Sequence, residues 1–253
     1  MRATADVRDI VQPGERVIAI VGNYGSGKTE VSVNLSIQLA RAGHAVQIAD
    51  LDIVNPYFRC REAADHMAAH GVRVVVPSGA QAWADLPIIL PELRGMLRPP
   101  DGTLSLFDVG GDDVGARSLA SFRTSVRDGE YALWQVINVR RPFTDSVAGC
   151  LEMRRAIEAA SRFRVTGWIA NSHLIDHTTP QDILEGWQLA EAVSAASGLP
   201  VRMVAVMEEF AGAPELAALT APVLRMTRLM TPPWSVPRSA TLTRLGRFQG
   251  VRP

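Results

Sequence analysis

The sequence predicts an α/β protein of three layers, with a mostly parallel sheet covered by helices on both faces. Three observations predict it. Short, almost wholly apolar runs alternate with amphipathic stretches, the pattern of strands buried on both faces and joined by helices. The first such run, Val17 to Val21, ends in a glycine-studded turn that opens a helix. At 253 residues the chain is long enough for one large domain with a substantial core, and short for two.

The elements follow in order. A polar leader closes at Pro13-Gly14, and the strand Val17 to Val21 comes next. From Lys28, residues Val31, Leu35, Ile37, Leu39 and Ala40 approximate one helical face, and Gly43 supplies the stop. A strand from Ala45 to Ala49 ends in Asp50-Leu-Asp52, and a turn at Asn55-Pro56 leads to a helix reaching about His70. Val72 to Val76 reads as a strand, followed by a Pro-rich connection with short helical pieces near Leu86 and Leu93. Leu104 to Phe107 is the next strand, ending in Asp108-Val-Gly-Gly111, with a helix from about Ala116 to Val126. Tyr131 to Val139 and Val165 to Ala170 are buried-type strands separated by an amphipathic helix, Asp145 to Arg162, with Val147, Leu151, Met153 and Ile157 inward. The helix Pro180 to Ala196, a last strand near Val201 to Val206 and a short helix from Leu216 to Leu219 complete the domain. Residues 1–230 are thus expected to form one domain and residues 231–253 a Pro-containing basic tail.

Ligands of such a sheet gather at the carboxyl ends of its strands, where Gly22, Asp50, Asp108 and Asn171 all fall. Gly22, Gly27, Lys28 and Thr29 fill every fixed position of the pattern G-x-x-x-x-G-K-S/T. In that pattern the backbone N–H groups of Gly22, Asn23, Tyr24, Gly25, Ser26, Gly27, Lys28, Thr29 and Glu30 surround phosphate oxygens, Lys28 reaches the β- and γ-phosphates, and the Thr29 hydroxyl holds Mg²⁺. Of 26 basic residues, Lys28 is the only lysine. A chain that writes arginine everywhere else keeps, at this position, a compact point charge on a flexible stem. Gly22-x-x-Gly25-x-Gly27 after a strand also suits a dinucleotide-binding turn, with Asp50 as a ribose ligand. That rival leaves Gly-Lys-Thr unexplained, and it has no use for a further acidic strand end at Asp108 followed by Gly111. In the phosphate-loop reading Asp108 holds the Mg²⁺ shell, and the Gly111 amide senses the γ-phosphate.

The phosphate loop, Asp50-Leu-Asp52 and Asp108-Val-Gly-Gly111 together resemble the MinD/ParA/CobQ branch of phosphate-loop NTPases, the SIMIBI class, which includes the nitrogenase iron protein and dethiobiotin synthetase. The likeness covers about residues 16–210, and the runs from Asp50 to Arg59 and from Asp108 to Ala116 look like those of a bacterial nucleotide-binding subgroup. It implies an ATP-binding protein, in which Asp52 orients the attacking water, Asp50 supports Thr29 and Mg²⁺, and Asn171 contacts adenine. Dimerising members place a second lysine just after the first loop glycine, where this chain has Asn23. An amide supplies no charge, so a nucleotide-dependent homodimer lacks its bridging lysine. The iron protein's cysteines are likewise missing beside Asp108. Two functions follow: an Mg²⁺-dependent ATPase that switches a protein partner, or an ATP-dependent kinase or amide ligase acting on a small metabolite.

The remaining features restrict partners. Net charge is zero, which offers no global field for nucleic acid or an acidic membrane. The charge is uneven, because residues 216–253 carry six arginines and no acid. Arg154, Arg155, Arg162 and Arg164 make a basic strip interrupted by Glu152 and Glu158, which argues against DNA. Cys60 and Cys150 are far apart, and no apolar run is long enough for a leader or a membrane span, so a cytoplasmic location is expected. His66 with His70, and His173 with His177, are pairs without a third ligand and read as a solvated face and loop. In the tail, Thr231 to Pro237 reads as an extended linker. Leu242, Leu245 and Phe248 then face away from Arg244 and Arg247, a pattern that supports at most weak association with anionic lipid.

Overall fold

The computed structural model describes residues 10–51, 63–75 and 91–230. Eight strands form one wholly parallel sheet: β1 (Val17–Gly22), β2 (Ala45–Asp50), β3 (Val72–Val75), β4 (Thr103–Asp108), β5 (Tyr131–Ile137), β6 (Gly167–Ala170), β7 (Val201–Met207) and β8 (Val223–Met226). Their order across the sheet is β3-β2-β4-β1-β5-β6-β7-β8. The helices are α1 (Lys28–Arg41), α2 (Ala64–Ala69), α3 (Pro91–Met96), α4 (Asp112–Ala120), α5 (Val147–Ser161) and α6 (Pro180–Ser197).

The three layers follow from the alternation within β1. Ile18 and Ile20 enter one core with Val31, Leu35 and Leu39 of α1, whereas Val17, Ala19 and Val21 enter another with Leu119 of α4 and Ile157 of α5. Each fully buried aliphatic side chain contributes about 2 kcal/mol. Because β1 is central, flanked by β4 and β5, its carboxyl end lies in the middle of the sheet's upper edge. The phosphate loop starts there.

Helix ends follow local chemistry. Thr179 and Asp182 form a reciprocal capping box ahead of Pro180 at the start of α6, and Gly198 closes that helix in the left-handed conformation. Ser146 caps α5 by accepting the Gly149 N–H at 3.2 Å.

Two expectations are corrected. The strand β8 lies beyond the strand near Val201–Val206 that the sequence marked as last. It is only four residues long, alternates in burial, carries an exposed Arg225 and gains its identity from pairing with β7. Helix α4 begins at Asp112, four residues earlier than expected, and stops at Ala120, with a separate turn of 3₁₀ helix at Arg123–Ser125. Gly115 reads locally as a helix breaker. Its reason is packing: a Cβ there would collide with the backbone of Gly110. The helix near Leu86, the turn at Asn55-Pro56, Cys60 and the tail 231–253 lie outside the described residues. Among the described residues no helix is long and apolar enough to cross a membrane.

Candidate functional site

The phosphate loop links β1 to α1. Gly27 precedes the helix with φ +87° and, as the N-cap residue, supplies no side chain to the first-turn N–H groups of α1. A Cβ at Gly27 would strike the Asn171 side chain, so only glycine fits here on both conformational and steric grounds. An uncapped helix start with its dipole directed at the loop favours an anion. Lys28 is buried, and its Nζ donates to the Asn23 carbonyl at 3.1 Å, which folds the ammonium back under the loop.

Two acidic strand ends fall on the same edge of the sheet as this loop. Asp50 and Asp108 are register partners on neighbouring strands β2 and β4, and Asp108 is in register with Ile20 of β1. Asp108 is 1 % exposed, and its Oδ1 accepts from Ser32 Oγ at 3.2 Å. Ser32 lies one turn beyond Thr29 on α1, so the helix that presents Lys28 and Thr29 also holds the β4 carboxylate. Sequence reasoning missed Ser32, although its spacing from Thr29 puts both on one helical face. Carboxylate and hydroxyl oxygens of this kind suit a hard divalent cation. Beyond Asp108 the chain returns to the loop, and a Cβ on Gly111 would stand 3.0 Å from the Tyr24 backbone and 3.3 Å from Lys28 Nζ. Asp52 lies outside the described residues.

The turns after β5 and β6 brace the loop from the other side. Asn23 is buried; its Nδ2 donates to the Pro142 carbonyl at 2.7 Å, and its Oδ1 accepts from the Tyr24 N–H at 2.7 Å. Asn171, 2 % exposed, donates from Nδ2 to the Ser26 carbonyl at 2.8 Å. One N–H of its amide is therefore used on the loop backbone. The Glu30 side chain is used elsewhere. Its carboxylate faces away from the loop and accepts the N–H groups of Leu229 and Met230 at 2.7 and 3.0 Å. Burial raises its pKa despite those donors, Asn34 and Arg228.

His173 lies against Gly27, with a buried Nε2 that has no hydrogen-bond partner among the described residues. Burial first, then the charges of Arg141 and Arg228, lower its pKa to about 4. His70 Nδ1 meets the His66 carbonyl and its Nε2 meets Arg41, and among the described residues no group of three or more His, Cys, Asp or Glu gathers. Arg154 and Arg164 both pair with Glu158, which interrupts the basic strip.

Comparison with known structures agrees with this fold. The chain is similar to FtsY from Mycoplasma mycoides at 17% identity and a TM-score of 0.54, covering 78% of this chain and 62% of that one. It is similar to the cell division protein FtsY from Thermotoga maritima at 19% identity and 0.53, covering 79% and 67%. It is also similar to the signal recognition particle 54 kDa protein from Aeropyrum pernix, solved with GDP, at 17% identity and 0.52, covering 78% and 42%. The chain therefore spans less than two thirds of the first of these proteins and less than half of the third. At such identities the likeness establishes the fold alone. No curated protein matches the chain. A family profile, described as the CobQ/CobB/MinD/ParA nucleotide-binding domain, matches residues 17–199. With loop, paired acidic strand ends and profile in agreement over most of its length, the chain belongs to the CobQ/CobB/MinD/ParA nucleotide-binding family.

Proposed function

We propose that the protein is a cytoplasmic, Mg²⁺-dependent ATP-binding switch whose nucleotide state sets the loop after β4 and thereby controls a protein partner. The observation that carries this reading is the approach of Gly111 to Lys28 and Tyr24. A γ-phosphate held by Lys28 would then lie where the Gly111 backbone can sense it, and its loss would release α4. Thr29 and Asp108, with Asp50 beside it, would hold Mg²⁺, which neutralises charge on the β- and γ-phosphates. Asp52 would align the attacking water. Adenine is the base we favour. One Asn171 N–H is used on Ser26, and Oδ1 can serve as the acceptor for adenine's exocyclic amine. Asn171-Ser-His-Leu174 also lacks an aspartate that would accept from guanine N1 and N2.

One observation favours the second reading, an ATP-dependent kinase or amide ligase. Asn23 stands where dimerising members have a lysine and is tied within the chain to Pro142 and Tyr24, and metabolite chemistry has no need of that lysine. Calorimetry with ATP and GTP, with and without Mg²⁺, followed by phosphate-release assays, tests both readings. The switch reading expects Mg²⁺-dependent ATP binding, GTP at least about tenfold weaker, and slow turnover stimulated by a protein. GTP competing as well as ATP would overturn the base assignment. Turnover that requires a small carboxylate or amine would overturn the switch in favour of the enzyme.

A further inference from the structure

The turn after β5 is built on Asn138, which is fully buried. Asn138 Oδ1 accepts the Arg140 N–H at 2.9 Å, and its carbonyl accepts the Arg141 N–H and the Thr144 hydroxyl, each at 3.0 Å. The backbone of Arg141 is thereby held in place. From that position Arg141 Nε donates to the Gly25 carbonyl at 2.9 Å, while the next residue, Pro142, receives the Asn23 amide. Two consecutive residues of one turn thus grip the phosphate loop. Gly25 has φ +70°, and a Cβ there would stand 3.3 Å from Arg141 Nε, so the guanidinium lies over the loop itself.

The two adjacent arginines are used differently. Arg140 is neutralised by Asp182 at 2.7 Å and Glu185 at 2.5 Å. Among the described residues Arg141 has no carboxylate partner, and the bond to Gly25 uses only one of its five N–H donors. Its charge reaches the space beside Gly27, because it contributes to keeping the His173 imidazole neutral there. A triphosphate brings several negative charges to a loop that owns a single lysine. A guanidinium fork held by Nε keeps its outer nitrogens for bidentate contact with phosphate oxygens.

We propose that Arg141 is a second cation of the phosphate site, acting beside Lys28 on the phosphate groups of a bound nucleoside triphosphate. This rests on the nucleotide-binding reading above. The test uses the full chain and titrates ATP and ADP with Mg²⁺ into the wild type, Arg141→Gln, Arg141→Ala, Arg141→Lys and Lys28→Ala, with melting temperatures measured in parallel. Glutamine can still donate to the Gly25 carbonyl but carries no charge. The expected result is ATP affinity at least about tenfold weaker in Arg141→Gln and Arg141→Ala, a smaller loss for ADP, a shallower salt dependence of ATP binding, and partial recovery in Arg141→Lys, all with near-native melting. If Arg141→Gln binds ATP within about twofold of wild type while Lys28→Ala does not bind, Arg141 only braces the loop and the proposal falls, with nucleotide binding intact. It also falls if binding is lost only in step with a lowered melting temperature. A wild type that binds neither nucleotide removes the nucleotide-binding reading and this inference together.

Discussion

The Glu30 carboxylate accepts the backbone N–H of Leu229 at 2.7 Å, across 199 residues of chain. Met230 N–H occupies the other oxygen, and Asn34, one turn along α1, both donates to the Thr227 carbonyl and accepts the Thr227 N–H. The helix that presents Lys28 and Thr29 is therefore clipped to the last described residues. Glu30→Ala leaves two N–H groups without their acceptor and is expected to cost about 2–3 kcal/mol, read as a lowered urea midpoint. Glu30→Gln keeps one acceptor and sheds the charge that burial disfavours, so its loss should be smaller. Equal losses for the two variants would contradict this account of the clip.

Lys28→Ala is expected to abolish measurable ATP turnover, whereas Asp52→Asn should leave ATP binding largely intact and slow hydrolysis by about a hundredfold or more. Lys28 meets charge already present in the bound nucleotide, and Asp52 is expected to act on the water. Calorimetry and single-turnover phosphate release separate the two effects. An Asp52→Asn variant that loses ATP as badly as Lys28→Ala would show that Asp52 has a different role.

His173 predicts acid sensitivity. Its folded pKa, near 4, lies below the ordinary histidine value of 6.5, so between those values the unfolded chain binds more protons. The contribution of neutral His173 is complete above pH 6.5 and is lost as pH falls towards 4. Its size is on the order of 3 kcal/mol at most. Denaturant midpoints measured from pH 7 to pH 4.5 should fall less steeply in His173→Gln than in the wild type. Parallel curves would place the acid sensitivity elsewhere.

Cys150 is fully buried, and burial, reinforced by Asp145, pushes its thiol up to about 12. The thiolate is the reactive form. In the folded protein Cys150 should therefore resist an aromatic disulfide reagent and react only on unfolding. Mass spectrometry of the labelled peptide containing residues 147–153 checks this, and labelling at the native rate of a free thiol would refute it.

The sequence alone determined the parallel three-layer class, the position of the phosphate loop, and the acidic ends of β2 and β4. These are local properties: apolar runs buried on both faces, glycines beside an invariant pattern of charge, and acids at strand ends are all written within a few residues of each other. Only the tertiary structure decided what comes from distant parts of the chain. The strand β8 is too short to announce itself and exists because β7 offers it a ladder. Glu30 reads as part of the loop through its backbone, and only the fold shows that its carboxylate is taken by Leu229 and Met230, which come from far along the chain. Asn171, reserved by resemblance for a base, has its nitrogen on the Ser26 carbonyl. Arg140 and Arg141 are indistinguishable in sequence. One is paired with α6 and the other lies over Gly25, because a buried Asn138 turns the backbone between them. Which side chain meets which is set by the crossing of strand ends along one edge of the sheet, and no local spacing encodes that crossing.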